Sequence, residues 1–124
     1  MAKFLVDGAA DAALAYIRDQ TGFVAICNAQ PTTVAQGTTA GAYSLGTATY
    51  GTANWTIADD STVGRKISAA AVAIPVTTNG TVSHIAYHNA GTIIGVGTCV
   101  PTAVSAGGTF TVNAYDFDKI SDIA

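Results

Sequence analysis

The apolar residues among the first twenty positions follow a helical period. Leu14 and Ile17 lie three residues apart, and neighbouring alanines extend the same stripe, which is the spacing of one apolar helix face. Asp7 can cap the start of this segment, Arg18 complements the helix dipole near its end, and Gly22 terminates it. The pattern therefore predicts a short N-terminal helix.

Beyond Gly22 the helical period disappears, and short apolar runs of strand length follow one another. The first run is Phe23–Cys27, and alternation places Val72, Ile74 and Val76 on one face of a later one. About seven such runs at roughly ten-residue spacing are typical of antiparallel sandwiches and barrels. The prediction is a mainly β fold, in which a short N-terminal helix is followed by a compact antiparallel β-sandwich or barrel of about seven strands.

Three local signals refine this prediction. Asn79-Gly80, between two apolar runs, predicts a two-residue hairpin turn. Pro75 has no backbone N–H, so its strand should lie at an edge or carry a bulge. Gly95 and Gly97 stand two apart in one strand, which leaves part of one face bare and allows a backbone or a large side chain to approach closely.

The 124 residues are enough for one domain with its own packed core. Residues 1–7 are predicted to form an extended N-terminal arm, and residues 8–124 a single β-rich domain that contains the helix. Residues 31–51, rich in Thr, Gly and Ala, predict a long loop with one short strand around Tyr43 to Leu45. Loops of this length are often functional.

Composition excludes several classes of protein. Hydrophobic residues make up 49% of the chain but charged residues only 10%, against about 25% in an average soluble domain. The five basic residues are scattered and the net charge is −3, whereas a nucleic-acid-binding protein needs a basic stripe. There is no apolar run long enough to span a bilayer, and the start lacks the profile of a signal peptide. We therefore expect synthesis in a cytoplasm.

The few charges gather in the predicted helix, in the turn from Asp59 to Lys66 and in the C-terminal tail. Most of the β-domain is left with Thr, Ala, Gly and Ser on its surface. Because burying charges at an interface carries a desolvation cost, a neutral surface of this kind indicates a protein whose surface is covered by neighbours.

The spacing of the histidine and aspartate residues does not predict a metal or catalytic site. His84 and His88 fall on a predicted strand, where four residues separate them by about 13 Å, too far apart to share one metal ion. Asp59-Asp60 and the Asp116/Asp118 pair lack the EF-hand pattern, and we interpret the second pair as a solvated face, with Arg65 or Lys66 as possible partners. No metal, cofactor or catalytic residue is predicted.

Cys27 and Cys99 each lie at the end of a predicted strand. Without a signal peptide, two reduced and buried thiols are the expected state, with a disulfide as the alternative. Neither cysteine is accompanied by a general base or an oxyanion motif, so we do not predict an enzyme.

Trp55, Tyr43 and Tyr50 are the aromatic residues that could form a platform for a sugar, as in carbohydrate-binding modules. The competing interpretation, which we prefer, assigns Trp55 to the core and the two tyrosines to an interface.

Several short segments together have a recognisable order. They are AALAYI at 12–17, ICNAQPTT at 26–33, DSTVGRKI at 60–67, TVSHIA at 81–86, Cys99 and the DFD at 116–118. This order resembles a family of small virion structural proteins of tailed bacteriophages and prophages. The Gly-Arg-Lys turn and the Cys-x-Ala-Gln-Pro-Thr-Thr element are the most specific parts of the resemblance, which covers nearly the whole chain.

The resemblance implies a virion component made in the host bacterial cytoplasm, most simply a capsid decoration (cement) protein that stabilises the head by bridging shell subunits. Its partners would be the major capsid protein, copies of itself, or both, with a homo-oligomer (a trimer as a guess) and no nucleic acid or membrane. The candidate contact residues are Phe4, Leu5 and Val6 of the arm, Tyr43, Leu45 and Tyr50 of the loop, and Arg65 and Lys66. The two basic residues could pair with acidic groups on the shell or with Asp59 and Asp60 of the same chain.

Two further functions stay open from the sequence. The chain could be a structural component of the tail or neck, or a carbohydrate-binding module on the virion surface that attaches to the host.

Overall fold

The protein is described by a computed structural model, which covers residues 7–38, 42–59 and 64–120. The elements in chain order are α1 (Asp7–Gln20), β1 (Phe23–Cys27), α2 (Val34–Thr38), β2 (Ser44–Thr49), a 3₁₀ turn (Thr52–Asn54), β3 (Trp55–Asp59), β4 (Arg65–Ala69), β5 (Val72–Pro75), β6 (Gly80–His88), β7 (Ile93–Val104), β8 (Thr109–Val112) and β9 (Tyr115–Ile120). The mainly β fold with a short N-terminal helix is confirmed. The strands number nine in the described part of the chain. Phe4, Leu5 and Val6 of the predicted arm lie outside the described residues.

The strands form three antiparallel sheets. The largest has the order β2-β1-β6-β7, the second the order β3-β4-β9, and the third consists of β5 and β8. They do not close into a barrel, and residues from all three sheets share one core. Helix α1 packs against β3, β4 and β9, and buries Ala10 and Leu14 there.

An aromatic cluster fills the centre of this core. The Trp55 ring lies 4.9 Å from the Tyr87 ring and 5.3 Å from the Tyr50 ring, and Tyr87 meets Phe117 edge-on at 5.1 Å. Edge-to-face contacts at these distances are favourable for aromatic rings. Trp55 is only 5% exposed, which confirms its assignment to the core.

The glycines of β7 make room for this cluster. A Cβ atom on Gly95 would lie 2.7 Å from Cζ of Phe117, and one on Gly97 would lie 3.4 Å from the hydroxyl of Tyr115. The predicted close approach of a large side chain to the bare face of this strand is confirmed.

The predicted hairpin at Asn79-Gly80 is wrong. β5 pairs with β8, while β6 pairs with β1 and β7, so the chain crosses from one sheet to another at this point. The Oδ1 atom of Asn79 accepts a hydrogen bond of 2.7 Å from the N–H of Ala106, and the N–H of Thr77 donates to the carbonyl of Leu45 at 2.8 Å. These contacts to other segments hold the crossing, and the local turn preference of Asn-Gly does not decide the pairing.

Two other expectations about the strands concern residues 31–51 and Pro75. The short strand predicted around Tyr43 to Leu45 is confirmed as β2, which pairs with β1 along Phe23–Cys27. The rest of residues 31–51 is not one long loop, because it contains the helix α2. The residues from 109 to 120 form two separate strands, β8 and β9, which pair with β5 and β4 in different sheets. Pro75 lies in a two-stranded sheet, where each strand is an edge, as predicted.

None of the helices that the structure describes is long and apolar enough to cross a membrane.

Candidate functional site

In the part of the chain that the structure describes, charged side chains are confined to one layer. Residues 20–58 and 67–115 contain no Asp, Glu, Lys or Arg. Within the described residues, the charges therefore lie only on α1 and on the sheet of β3, β4 and β9, against which α1 packs. We call the remainder, namely the four-stranded sheet with α2 and the β5–β8 pair, the uncharged side.

The charged layer pairs its charges internally. Arg65 donates to Asp11 of α1 at 2.6 Å and to Asp59 of β3 at 2.5 Å, and its side chain is 18% exposed. Hydrogen bonds to these two carboxylates raise the pKa of Arg65, with a smaller opposing effect from burial. Lys66 lies 3.2 Å from Asp116. Both predicted basic contact residues are thus engaged by carboxylates of their own chain, and for Arg65 the second carboxylate, Asp11, was not among the predicted partners.

The uncharged side presents the outer face of the four-stranded sheet. Alternation along β1 sends Val24 and Ile26 into the main core, and sends Ala25 and Cys27 to the opposite face, where they form a second small cluster with Ala86. Tyr43 and Val96 pack against this second cluster. The main-core face and the outer face of the sheet are therefore both partly apolar.

Helix α2 covers only part of this outer face. It packs on β1 and β2, and Gly37 lies so close to Pro31 and Ile93 that a Cβ there would meet both at 3.8 Å. The carbonyl of Gln36 accepts from the N–H of Tyr43 at 3.0 Å, which ties the segment after α2 back to the helix.

An open groove of about 320 Å³ lies between α2 and the sheet. Val34 and Thr38 of α2 form one wall, and Phe23, Thr47 and His88 of the sheet form the other, with Asn89 and Ala90 of the β6–β7 turn at one end. Phe23 is 39% exposed although it is a large apolar residue. This volume is at the lower end of the range for small-ligand sites and is large enough to accept an apolar side chain.

His88 combines burial with an unused hydrogen-bonding atom. Its ring is stacked on the ring of Phe23 at 5.4 Å and is 3% exposed. The ring Nδ1 lies 3.0 Å from the carbonyl of Asn89 and donates to it. Nε2 is buried without a hydrogen-bond partner, a state that buried polar atoms rarely adopt.

Among the described residues, the most exposed large apolar side chain lies on a bulge in β7. Val82 and His84 of β6 pair with Thr102 and Thr98 of β7, so Ser83 alone faces the three residues 99–101. The side chain of Thr102 donates to the carbonyl of Val100 at 2.9 Å, which holds the bulge in shape. Val100 is 82% exposed. We call residues 99–101 the knob.

Two predicted contact residues are corrected by the structure. Leu45 is 2% exposed and Tyr50 is fully buried, and both belong to the main core. The hydroxyl of Tyr50 donates to the carbonyl of Ala70 at 2.5 Å, so this ring is engaged within its own chain. Neither residue is available to fill a pocket on a neighbour. Tyr43 is half-buried against the second cluster.

The burial of Trp55 and Tyr50 also removes the proposed aromatic platform for sugar, because neither ring forms part of the surface. Sequence reasoning missed Phe23, His88 and Val100. The signal for the groove was the alternation along β1, which places Phe23 on the face opposite to Val24 and Ile26. The signal for the knob was Pro101 within a long strand.

The two cysteines lie on opposite faces of the four-stranded sheet. Cys27 belongs to the second cluster, whereas Cys99 packs against the main core. Both are free thiols. Burial raises the pKa of Cys27 to about 11 and also raises that of Cys99, so neither is an activated nucleophile.

His84 and His88 lie on the same strand, as the sequence predicts. The described residues contain no group of three or more His, Cys, Asp or Glu that could hold a metal ion.

Neither family models, nor characterised proteins, nor solved structures match this chain.

Proposed function

We propose that this chain is a structural component of a virion, a capsid decoration (cement) protein, and that it bridges shell subunits through its uncharged side. The observation that carries the proposal is the segregation of charge. One layer pairs its charges internally, while the four-stranded sheet, α2 and the β5–β8 pair contain no charged residue.

The energetic argument concerns what happens when a surface is covered. Covering a charged side chain costs several kcal/mol unless a partner charge is supplied in good geometry, whereas covering Thr, Ala and Val costs little. A solvent-exposed protein normally distributes about 25% charged residues over its surface for solubility. The chain instead concentrates its charges on one layer, which is the arrangement suited to a protein with one covered side and one side in water.

The order of short motifs that resembles phage virion proteins supports the same function. A decoration protein acts by binding the assembled shell more tightly than its dissociated subunits, and so it stabilises the assembly by mass action without any chemical step. The groove and the knob on the uncharged side are the features with which such binding is specific.

The test is binding to expanded empty capsids of the phage that encodes the chain, measured by co-sedimentation. Thr98→Lys places a charge on the exposed face of β7, and Thr56→Lys places the same charge on exposed β3 of the charged layer. We expect Thr98→Lys to reduce binding at least tenfold and Thr56→Lys to leave it within twofold.

Failure of the unmodified chain to bind capsids, or equal loss for both variants, would refute the proposal. Imaging of labelled protein on whole particles then separates the alternatives, because a tail or neck component labels one vertex and a decoration protein labels the whole head.

A further inference from the structure

We propose that the groove between α2 and the four-stranded sheet binds a phenol group, that is, an uncharged aromatic ring with one hydroxyl. This binding is separate from the proposed function, because it is a property of the free chain and needs no capsid. Two features of the groove walls indicate it, the exposed ring of Phe23 and the buried Nε2 atom of His88.

The Nε2 atom of His88 has an unmet hydrogen-bonding requirement. Among the described residues, two buried side-chain nitrogen or oxygen atoms have no hydrogen-bond partner, Nε1 of Trp55 and Nε2 of His88. His88 forms part of the groove wall, and Nε2 lies at the tip of its ring. A buried polar group without a partner carries a desolvation penalty, which a ligand removes when it supplies the missing partner.

Two other polar side chains of the groove already have partners. The hydroxyl of Thr38 donates to the carbonyl of Val34 at 2.9 Å. The Oδ1 atom of Asn89 accepts from two backbone N–H groups of its own turn, at 2.9 and 2.8 Å. In the described walls of the groove, the unmet requirement is therefore at one buried atom, which suits a ligand with a single hydroxyl better than a sugar with many.

A hydroxyl is the group that fits Nε2 best. The other ring nitrogen, Nδ1, is engaged with the carbonyl of Asn89, so the ligand has to satisfy Nε2 alone. A hydroxyl can both donate and accept, and it therefore pairs with Nε2 whether or not that atom carries a proton. An ammonium group can only donate and a carboxylate can only accept, and either would bring a charge for which the groove walls offer no counter-charge.

The ring of Phe23 favours an aromatic body for the ligand. It is stacked on the ring of His88 at 5.4 Å, yet Phe23 remains 39% exposed. A second aromatic ring packed on it gains an aromatic contact in addition to the burial of apolar area. Val34 and Ala90 add apolar contacts, and the volume of about 320 Å³ is at the lower end for small-ligand sites, which suits a single ring.

The hydroxyl reaches Nε2 only when a wall of the groove moves, because that atom is buried in the free chain. Helix α2, which carries Val34 and Thr38, has five residues, and helices this short depend on packing for their stability. Within it, the N–H of Gly37 donates to the carbonyl of Thr33 at 3.4 Å, which is a long hydrogen bond. We therefore expect α2 to shift when the ligand binds.

The experiment is an NMR titration of the isotope-labelled full chain with para-cresol and with para-xylene. The two probes have the same shape, but para-xylene carries a methyl group in place of the hydroxyl. We expect para-cresol to shift the amide signals of Phe23, Val34 and Ala90 and to leave those of α1 unchanged. It should bind about tenfold more tightly than para-xylene, because only para-cresol can pair with Nε2 of His88.

A third probe, N-acetyltyrosinamide, distinguishes two sources of the phenol group. Binding of this probe as well as para-cresol identifies a tyrosine side chain of a bound protein as a fitting occupant. Binding of para-cresol alone identifies a free phenolic compound.

Three variants test the assigned roles. His88→Phe keeps a ring beside Phe23 and removes Nε2, so the preference for para-cresol over para-xylene should disappear. Phe23→Ala, at an exposed position, should weaken the binding of both probes. Tyr16→Ala removes a ring that is 59% exposed on α1, and as the matched control it should bind both probes as the unmodified chain does. The fluorescence of Trp55 reports whether each variant is folded.

Equal affinity of the unmodified chain for para-cresol and para-xylene would overturn the inference, even if His88→Phe does not fold. So would signal changes outside the groove alone, or a preference for para-cresol that persists in folded His88→Phe. Failure to bind capsids would refute the proposed function and leave this site standing, whereas failure to bind para-cresol would remove the site and leave the proposed function standing.

Discussion

The ring of Phe117 occupies the space in which any residue other than glycine at position 95 would carry its Cβ. A Cβ on Gly95 would lie 2.7 Å from Cζ and 3.1 Å from Cε2 of that ring. The ring has little freedom to withdraw, because it meets Trp55 at 5.6 Å and Tyr87 at 5.1 Å in edge-on contacts. The bare face of β7 is thus part of the packing between the four-stranded sheet and β9.

Gly95→Ala should therefore destabilise the fold by overpacking, at a cost of about 1–3 kcal/mol in the free energy of unfolding. Urea denaturation followed by tryptophan fluorescence measures it, since Trp55 lies in the same cluster. Gly91→Ala is the control, because a Cβ there has no neighbour within 4 Å. Equal stability of the two variants would show that Phe117 can move away.

The ion pair between α1 and β4 gives a second prediction. Asp11→Asn removes one of the two carboxylates that Arg65 contacts, and the Arg65 side chain is only 18% exposed. Asp19→Asn removes the carboxylate of the more exposed Arg18–Asp19 pair, in which the two side chains are 34% and 52% exposed. Because solvent screens the exposed pair more strongly, we expect Asp11→Asn to lower the melting temperature more than Asp19→Asn.

Added salt distinguishes this cause from a change in packing. The difference between the two variants should shrink as the salt concentration rises, since screening weakens the pair that Asp11 makes. A difference that is independent of salt would contradict the electrostatic explanation.

Local patterns in the sequence predict local structure here, and fail where distant segments decide the pairing. The helix α1, the strand β1 and the need for a close neighbour at Gly95 all follow from residue type and spacing. The hairpin at Asn79-Gly80 does not form, because Asn79 is held by the N–H of Ala106 and β5 takes β8 as its partner. The residues around Asn79-Gly80 alone therefore do not predict that β5 pairs with β8.

In the candidate site, too, some features follow from the local sequence and others are decided by the fold. The absence of charge on one side is visible in the sequence as two long stretches without Asp, Lys or Arg, and only the fold places them together. Tyr50 illustrates the opposite error, because a tyrosine in a Thr- and Gly-rich segment resembles a surface residue. Its backbone N–H donates to the carbonyl of Gly22 and its hydroxyl to Ala70, which carries the ring into the core.

The placement of the cysteines on opposite faces of a sheet gives a third prediction. An oxidant should not join Cys27 to Cys99 within the folded chain, and a thiol reagent at pH 8 should modify Cys99 faster than the fully buried Cys27. Burial raises the pKa of both thiols, so both reactions should be slow. Intact-mass measurement follows both reactions. Unfolding in guanidinium is the control, in which the two thiols should react alike, and loss of two hydrogen masses from the folded chain would contradict the arrangement.

Two buried tyrosines make the fold sensitive to alkaline pH. Burial raises the pKa of Tyr50 to about 12. Burial also raises the pKa of Tyr87, as does its hydrogen bond to Tyr115, whose hydroxyl lies 2.8 Å away. The folded state therefore holds both phenols protonated at a pH where the unfolded chain, with tyrosine pKa values of about 10, releases its protons.

The direction of the effect follows from this difference. The contribution of each phenol to stability is fully present below pH 10, and it is lost as pH rises from there towards the pKa in the folded state. Each tyrosine should lower the free energy of unfolding by roughly 1 kcal/mol per pH unit in that range.

Tyr50→Phe should be less stable than the unmodified chain at pH 8, because the hydrogen bond to Ala70 is lost, and its stability should fall less steeply above pH 10. Urea denaturation at pH 8, 10 and 11 measures both effects, and parallel curves for the two proteins would exclude Tyr50 as a source of the alkaline sensitivity.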